Sequence, residues 1–362
     1  MSRTYDHGGN ILAIARQNGQ SPDDLLDFSA SINPLGLPAA VRTALVGALD
    51  RLVHYPDSDH TELKQALARY HGVTPANLAI ANGSTELLYH LPSLLHGTRA
   101  LVISPAFSEY THSLVQHHWQ VIPFPLAPDQ DFHIDLPALA EELARGYGAL
   151  YLCNPGNPTG RLYSLETITA IRELCRENRT FLMLDEAFMD FCEEHSAKRL
   201  LCTTPDGVII RSMTKFFGFP GLRLGYAIGH DALIERLQAR GGPWNVNTLA
   251  QVAGIAAVTD HDFICRTNEY IARERQRLTG LLGNLPGLRP FSSQANFLLV
   301  KLDEAVSDAP TLGAQLCRDG ILIRDCSNFV GLSRRFFRVA IRTPLENDRL
   351  VAALARILAN KG

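Results

Sequence analysis

In the stretch "SMTKFFGFPGLRLGY", residues 212–226, Lys215 lies between hydroxyl residues and a Gly/Pro loop, just past the apolar run "GVIIRS". Most lysines are solvated at the surface. One held in a partly buried cleft has a lowered pKa and can form a Schiff base with a carbonyl. Thirty residues earlier, "LMLDEAF" ends another apolar run in Asp185. A carboxylate there is costly unless it finds a partner.

A lysine for an aldehyde and an acid for a ring nitrogen are what pyridoxal 5'-phosphate requires of a protein. Its phosphate needs donors as well. "ANGSTELLYHL" offers a Gly turn, then Ser84 and Thr85 opening a helix, where free N–H groups suit an anion. An ordinary capped helix reads the same way. Ser212 and Arg223 flank Lys215 and add two donors. "RDCSNFVGLSRRFFRVAIR" carries Arg324, Arg334, Arg335, Arg338 and Arg342. Guanidinium groups fit carboxylate or phosphate equally well. Arg338 and Arg342 stand at i and i+4 of an alternating strand and share a face, so spacing leaves both open. Near the start, "YDHGGN" sets His7 beside glycines that let backbone approach a ligand. Alone it reads equally as a helix cap at a loose chain end, with Asn10 capping a helix that Gly19 stops.

The elements that must position these groups alternate. "RALVIS", "GALYLC", "TFLMLD" and "GVIIRS" are short apolar runs ending in a polar residue, separated by helical patterns such as "LETITAIRELCREN". That predicts a mostly parallel sheet covered by helices on both faces, with ligands bound beyond the carboxyl ends of the strands. "TELKQALARYHG" reads as a helix ended by Gly72, and "FICRTNEYIARERQRLTGLLGNL" as a long one. "ANFLLVKL", "GILIRDC" and "RFFRVAIR" read as strands of a smaller α+β unit. "TPLENDRLVAALARIL" closes as a helix with Thr343 and Glu346 forming a capping box. The expected division is an N-terminal arm, 1–40, folding back onto the small domain, a large domain, 41–255, and a small C-terminal domain, 256–362.

At 362 residues the chain exceeds what one core usually supports. It is 46% hydrophobic with net charge -3, which argues against disorder and against a general polyanion binder, so no nucleic-acid partner is expected. Its seven cysteines are scattered without a C-x-x-C pair, so a bound metal is not expected and reduced thiols in the cytoplasm are. No signal peptide or membrane-spanning run is read.

"NPGNPTG" (154–160), "LDEAF" and "SMTKFFGFPGLRLGY", in this order and spacing, resemble the fold-type I pyridoxal-phosphate enzymes, the aspartate aminotransferase superfamily. Within it the chain is similar to the branch holding histidinol-phosphate aminotransferases and threonine-phosphate decarboxylases. It is nearer the second in "HGGN", "SASINPLG" (29–36), "YPD" (55–57), "DEAF" and "ILIR…FRVAIR". The resemblance implies that Lys215 holds the cofactor and moves protons while Asp185 pairs with the ring nitrogen. Asn157 donates to the ring oxygen and Phe107 stacks on the ring. Ser84, Thr85, Ser212 and Arg223 take the cofactor phosphate, with Tyr55 reaching across a homodimer. For the substrate it implies Arg338 at the carboxylate, Arg324, His7 and Gly8 at the phosphate, and Ser31 and Asn157 nearby.

Two positions depart from the pattern. Phe188 stands where superfamily members often carry Tyr, and Ser31 where the decarboxylases read Asn. The implied reaction is decarboxylation of L-threonine O-3-phosphate to (R)-1-aminopropan-2-yl phosphate in cobalamin biosynthesis. The alternative is an aminotransferase acting on histidinol phosphate or a related compound, and a third reading is a catalytically silent cofactor-binding protein.

Overall fold

The computed structural model describes residues 7–359. Thirteen strands are defined in it: β1 (Leu26–Asp27), β2 (Leu78–Ala81), β3 (Arg99–Ser104), β4 (Gln120–Pro125), β5 (Ala149–Cys153), β6 (Phe181–Asp185), β7 (Gly207–Ser212), β8 (Gly225–Gly229), β9 (Leu288–Pro290), β10 (Phe297–Leu302), β11 (Ile321–Leu322), β12 (Arg324–Asp325) and β13 (Phe336–Ala340). Seven form the large sheet in the order β2-β8-β7-β6-β5-β3-β4. From β7 to β4 every pairing is parallel, whereas β8 runs antiparallel to both β7 and β2. The mostly parallel, helix-covered sheet expected from the apolar runs is therefore present.

Residue type explains the sheet order. The central strands β5 and β7 are buried at every position, as strands covered on both faces must be. The outer strand β4, "QVIPFP", alternates exposed and half-buried positions and carries two prolines, which only an edge tolerates. Because β8 is antiparallel, its start meets the ends of both neighbours, Gly225 pairing with Ser212 of β7 and Ala81 of β2, while in the parallel part the end of β5, Cys153, pairs with the end of β6, Asp185. Strand ends bearing Asp185 and Ser212 and the loop bearing Arg223 thus converge on one edge.

The small sheet is antiparallel, in the order β12-β13-β10-β9. β1 pairs in parallel with β11, which brings the loop at 29–36 against the C-terminal strands. One apolar core runs from Leu150 and Leu184 of the large sheet to Phe297 and Val339 of the small one. The helix Thr248–Thr259 passes through residue 255 and packs on the helices Ala39–Gly47 and Thr61–His71.

Several local expectations need correction. "GILIRDC" is two short strands in different sheets, not one. Asn10 stands at the start of the helix Ile11–Asn18, but its side chain makes no capping hydrogen bond; Gly19 does end that helix, in the left-handed conformation. Arg342 does not share a strand face with Arg338, because β13 ends at Ala340. It bonds instead to Glu346 at 2.6 Å and to the Asp27 carbonyl at 3.2 Å. The Thr343–Glu346 box closes as read, with Oε2 accepting from the Thr343 amide at 3.0 Å and Oγ1 accepting from the Glu346 amide at 3.4 Å.

Candidate active site

A cavity of about 270 Å³ opens at the carboxyl edge of the large sheet, facing the small one. Lys215 reaches it from the short helix Met213–Phe216 that follows β7. The loop at 29–36 braces this turn. Asn33 donates its amide to the Lys215 carbonyl at 3.0 Å and its side chain to the Phe216 carbonyl at 2.7 Å and to Thr267 at 3.0 Å. Burial lowers the Lys215 ammonium to about 8, with the cations Arg338 and Arg223 adding to the effect and Asp185 opposing it.

Asp185 is buried at the end of β6. Its Oδ2 accepts from the Tyr110 hydroxyl at 2.5 Å and its Oδ1 from the Ala187 amide at 2.8 Å. Burial raises the carboxyl while Tyr110, Ala187 and Lys215 work to lower it. A buried acid with that leaning suits a cationic partner in the cavity. Glu186 turns the other way, into a fully buried cluster in which Arg211 bonds to Glu186 at 3.0 Å and Asp190 at 2.9 Å. The "DE" pair thus divides between cavity and core.

A donor group lies at one end of the cavity. Ser212 and Thr214 hydroxyls meet at 2.8 Å, and Ser84, Thr85 and Arg223 line the same wall. The packing admits no side chain at two glycines there. A Cβ on Gly225 would come within 2.2 Å of the Ser84 nitrogen, and one on Gly83 within 2.6 Å of the Arg223 guanidinium. The backbone that carries Ser84 and Arg223 is therefore closely packed, and five side chains able to donate to an anion line this wall.

At the other end Arg338 projects from β13. Its guanidinium donates to Asn157 Oδ1 and, at 2.9 Å, to the Ser29 carbonyl, and it lies 4.9 Å from the Phe297 ring centre. Nε has no partner although buried. Burial lowers Arg338 to about 10, Cys326 opposing and Arg324 adding to it. Asn157, whose Oδ1 is engaged by Arg338, also lines the cavity. Arg324 bonds to Asn328 at 2.9 Å and stacks 5.1 Å from Phe329. Ser31 Oγ is buried on the cavity wall without a hydrogen-bond partner. Phe188 packs edge-on against Phe297 at 5.0 Å and offers the cavity only an apolar surface.

His7 and Gly8 close the rim. A Cβ on Gly8 would lie 2.1 Å from the Ser29 carbonyl, and Gly9 donates to Ser29 Oγ at 2.9 Å. The glycines therefore let the arm press flat on the loop that also receives Arg338. His7 stands 5.1 Å from the Phe107 ring.

Of the residues given a role in the site from the resemblance, the structure brings together every one except Tyr55, which is exposed and stacked on Trp244 at 4.4 Å; Arg334, Arg335 and Arg342 lie outside the cavity. Tyr110, Thr214, Asn328 and Phe329 were not anticipated. Tyr110 has a signal in hindsight: it lies one helical turn past Phe107 in "SPAFSEY".

This set fits pyridoxal phosphate, on the chemistry of the donors and the unpartnered cavity-facing groups. The chain belongs to the aminotransferase class I and II family, whose match covers residues 23–354. It is 40% identical over 354 residues to a threonine-phosphate decarboxylase of Salmonella typhimurium, covering 97% of this chain and 96% of that protein. The crystal structure of L-threonine-O-3-phosphate decarboxylase from Porphyromonas gingivalis has a TM-score of 0.80 at 27% identity, covering 92% of this chain and 99% of that one. A histidinol-phosphate aminotransferase from Sinorhizobium meliloti, solved in complex with pyridoxal-5'-phosphate, has a TM-score of 0.87 at 26% identity, covering 97% and 95%. Among the described residues no helix is long and apolar enough to cross a membrane, and no group of side chains could hold a metal ion.

Proposed function

We propose that this chain decarboxylates L-threonine O-3-phosphate to (R)-1-aminopropan-2-yl phosphate, with pyridoxal 5'-phosphate as cofactor, in cobalamin biosynthesis. When bound, the cofactor supplies an electron sink for the pair left on the α-carbon as carbon dioxide departs. The remaining work falls to this chain's own residues. Lys215, at about 8, is free amine often enough near neutrality to hold an aldehyde and move a proton at the α-carbon. Asp185 keeps a ring nitrogen protonated, steadied by Tyr110. Phe107, which lines the cavity, would supply an aromatic face for the ring. Ser84, Thr85, Ser212, Thr214 and Arg223 hold the cofactor phosphate, and Asn157 orients the ring oxygen.

Arg338 takes the substrate carboxylate, and Arg324, His7 and Gly8 the substrate phosphate, with Ser31 offering a free hydroxyl beside them. The single observation that carries this reading is that two guanidinium groups, Arg324 and Arg338 on paired strands, line the same cavity as Lys215 and Asp185. A substrate with both a carboxylate and a phosphate uses both. Histidinol phosphate carries no carboxylate, although the 2-oxoglutarate of an aminotransferase does, so the products decide between the two.

The site is completed by a second copy of the chain. Leu49, Leu52, Val53 and Tyr55 are exposed within one short stretch, with Tyr55 stacked on the exposed Trp244, apolar surface that a twin subunit would cover. Such a homodimer lets Tyr55 of one subunit reach the phosphate of the other. The test is purified holoenzyme given threonine phosphate alone, with carbon dioxide measured. Release that Lys215→Ala abolishes supports the proposal. Amino transfer to 2-oxoglutarate without carbon dioxide overturns it in favour of an aminotransferase.

A further inference from the structure

One carboxylate bonded to the cavity-lining His7 has no part in the chemistry above. Glu109 lies in the first turn of the helix Ser108–Gln116, directly after Phe107. Its Oε1 accepts from His7 Nε2 at 2.7 Å and from His112 Nδ1 at 3.2 Å, and its Oε2 accepts from the Tyr89 hydroxyl at 2.6 Å. Burial works to raise the carboxyl, yet the hydrogen bonds from Tyr89, His7 and His112 hold it below its ordinary value. An ionised carboxylate only accepts, so His7 Nε2 carries the proton of that bond. Nδ1 is the ring nitrogen left for a ligand, and it donates to an anion only when it too carries a proton, so the ring that serves a phosphate is the imidazolium.

Three elements therefore specify the His7 ring. Glu109 fixes one edge, the Phe107 ring at 5.1 Å supports one face, and the Gly8–Ser29 contact fixes the backbone. A bare carboxylate beside an anion site would repel the anion. Here donors occupy both oxygens and the imidazole takes one of those places. A first-turn Glu is favourable to its helix in any case, but that alone does not require a hydrogen bond to the arm 102 residues away.

We propose that Glu109 is a positioning residue: it anchors His7 through Nε2 so that Nδ1 addresses the substrate phosphate, while Tyr89 fixes the carboxylate from the far side. This rests on the assignment of His7 to that phosphate. The phosphate subsite is then built partly by the large sheet's own helix and partly by the arm. Selection for phosphorylated substrates depends on the arm being latched.

The test uses holoenzyme carrying Glu109→Ala, Glu109→Gln or Tyr89→Phe. Turnover of threonine phosphate gives kcat and KM, and calorimetry gives the affinity for inorganic phosphate. Losing an anchor bonded to a charged group should raise KM and the phosphate Kd about tenfold in Glu109→Ala, with kcat within about twofold and the cofactor absorbance unchanged. Glu109→Gln, whose amide oxygen still accepts from Nε2, should recover most of that affinity, and Tyr89→Phe should shift it less in the same direction. Wild-type KM and phosphate affinity in Glu109→Ala, or in Tyr89→Phe should the former fail to fold, would overturn the inference. So would parallel loss of kcat and cofactor in all three. A wild type that releases no carbon dioxide, while Glu109→Ala still weakens phosphate binding, would sink the decarboxylase reading and leave this one standing.

Discussion

The chemistry of this site depends on how a few cations share one small cavity. Lys215 must be a free amine to hold an aldehyde, and burial beside Arg338 and Arg223 lowers it to about 8. At pH 7 about one such lysine in ten is neutral, against fewer than one in a thousand at an unperturbed pKa. Capture of pyridoxal phosphate by the cofactor-free protein should therefore quicken as pH rises and level off above about 8. Arg223→Ala removes a neighbouring cation and should move that midpoint upward. Stopped-flow absorbance reads both, and a midpoint that stays near 10 in the wild type contradicts the electrostatic account. Arg338 is the second residue on which much depends. Its guanidinium is already aimed by Asn157 and the Ser29 carbonyl, so little ordering remains when a carboxylate arrives. Arg338→Ala should raise KM for threonine phosphate by at least about tenfold, since bonds to charged groups are worth roughly 1.5–3 kcal/mol. An unchanged KM would move the carboxylate elsewhere.

Individual elements explain what sequence could and could not disclose. The four runs that announced strands, such as "GALYLC" and "GVIIRS", are long, apolar and buried at nearly every position. Those that escaped notice were marginal by pattern: "LAIA" is four residues, "QVIPFP" carries two prolines, and "GYAIG" sits between glycines inside what reads as one continuous loop. The strand β8 is the costly omission, because its antiparallel start at Gly225 holds Ser84 and Arg223 together. Residues within one motif were legible because their spacing is local. Tyr110 and Glu109 were not, because their partners Asp185 and His7 lie 75 and 102 residues away. "HGGN" is the clearest gain. Its first glycine has no room for a methyl group against Ser29, which a loose tail would not require. Gly8→Ala should lift the arm, raising KM about fivefold or more through loss of the His7 contact, with thermal stability nearly unchanged. Wild-type kinetics in that variant would return the segment to the status of a tail.

For the molecule as a whole, the cavity lies between two sheets that share one core, and Tyr55 lies outside it. The proposed homodimer accounts for the second. If sites are shared, Lys215→Ala and Tyr55→Ala subunits that have exchanged should form mixed dimers with one intact site. A one-to-one mixture then restores up to about a quarter of wild-type sites. Activity no greater than that of the two separate preparations would argue that each subunit works alone. The most direct test of the central claim is the fate of the substrate's carboxyl carbon. Threonine phosphate labelled at that carbon, supplied to holoenzyme without any keto acid, should release its label as carbon dioxide in step with formation of the aminopropanol phosphate. Label that is not released, and that appears in the 2-oxo acid when 2-oxoglutarate is added and takes the amino group, would contradict the account.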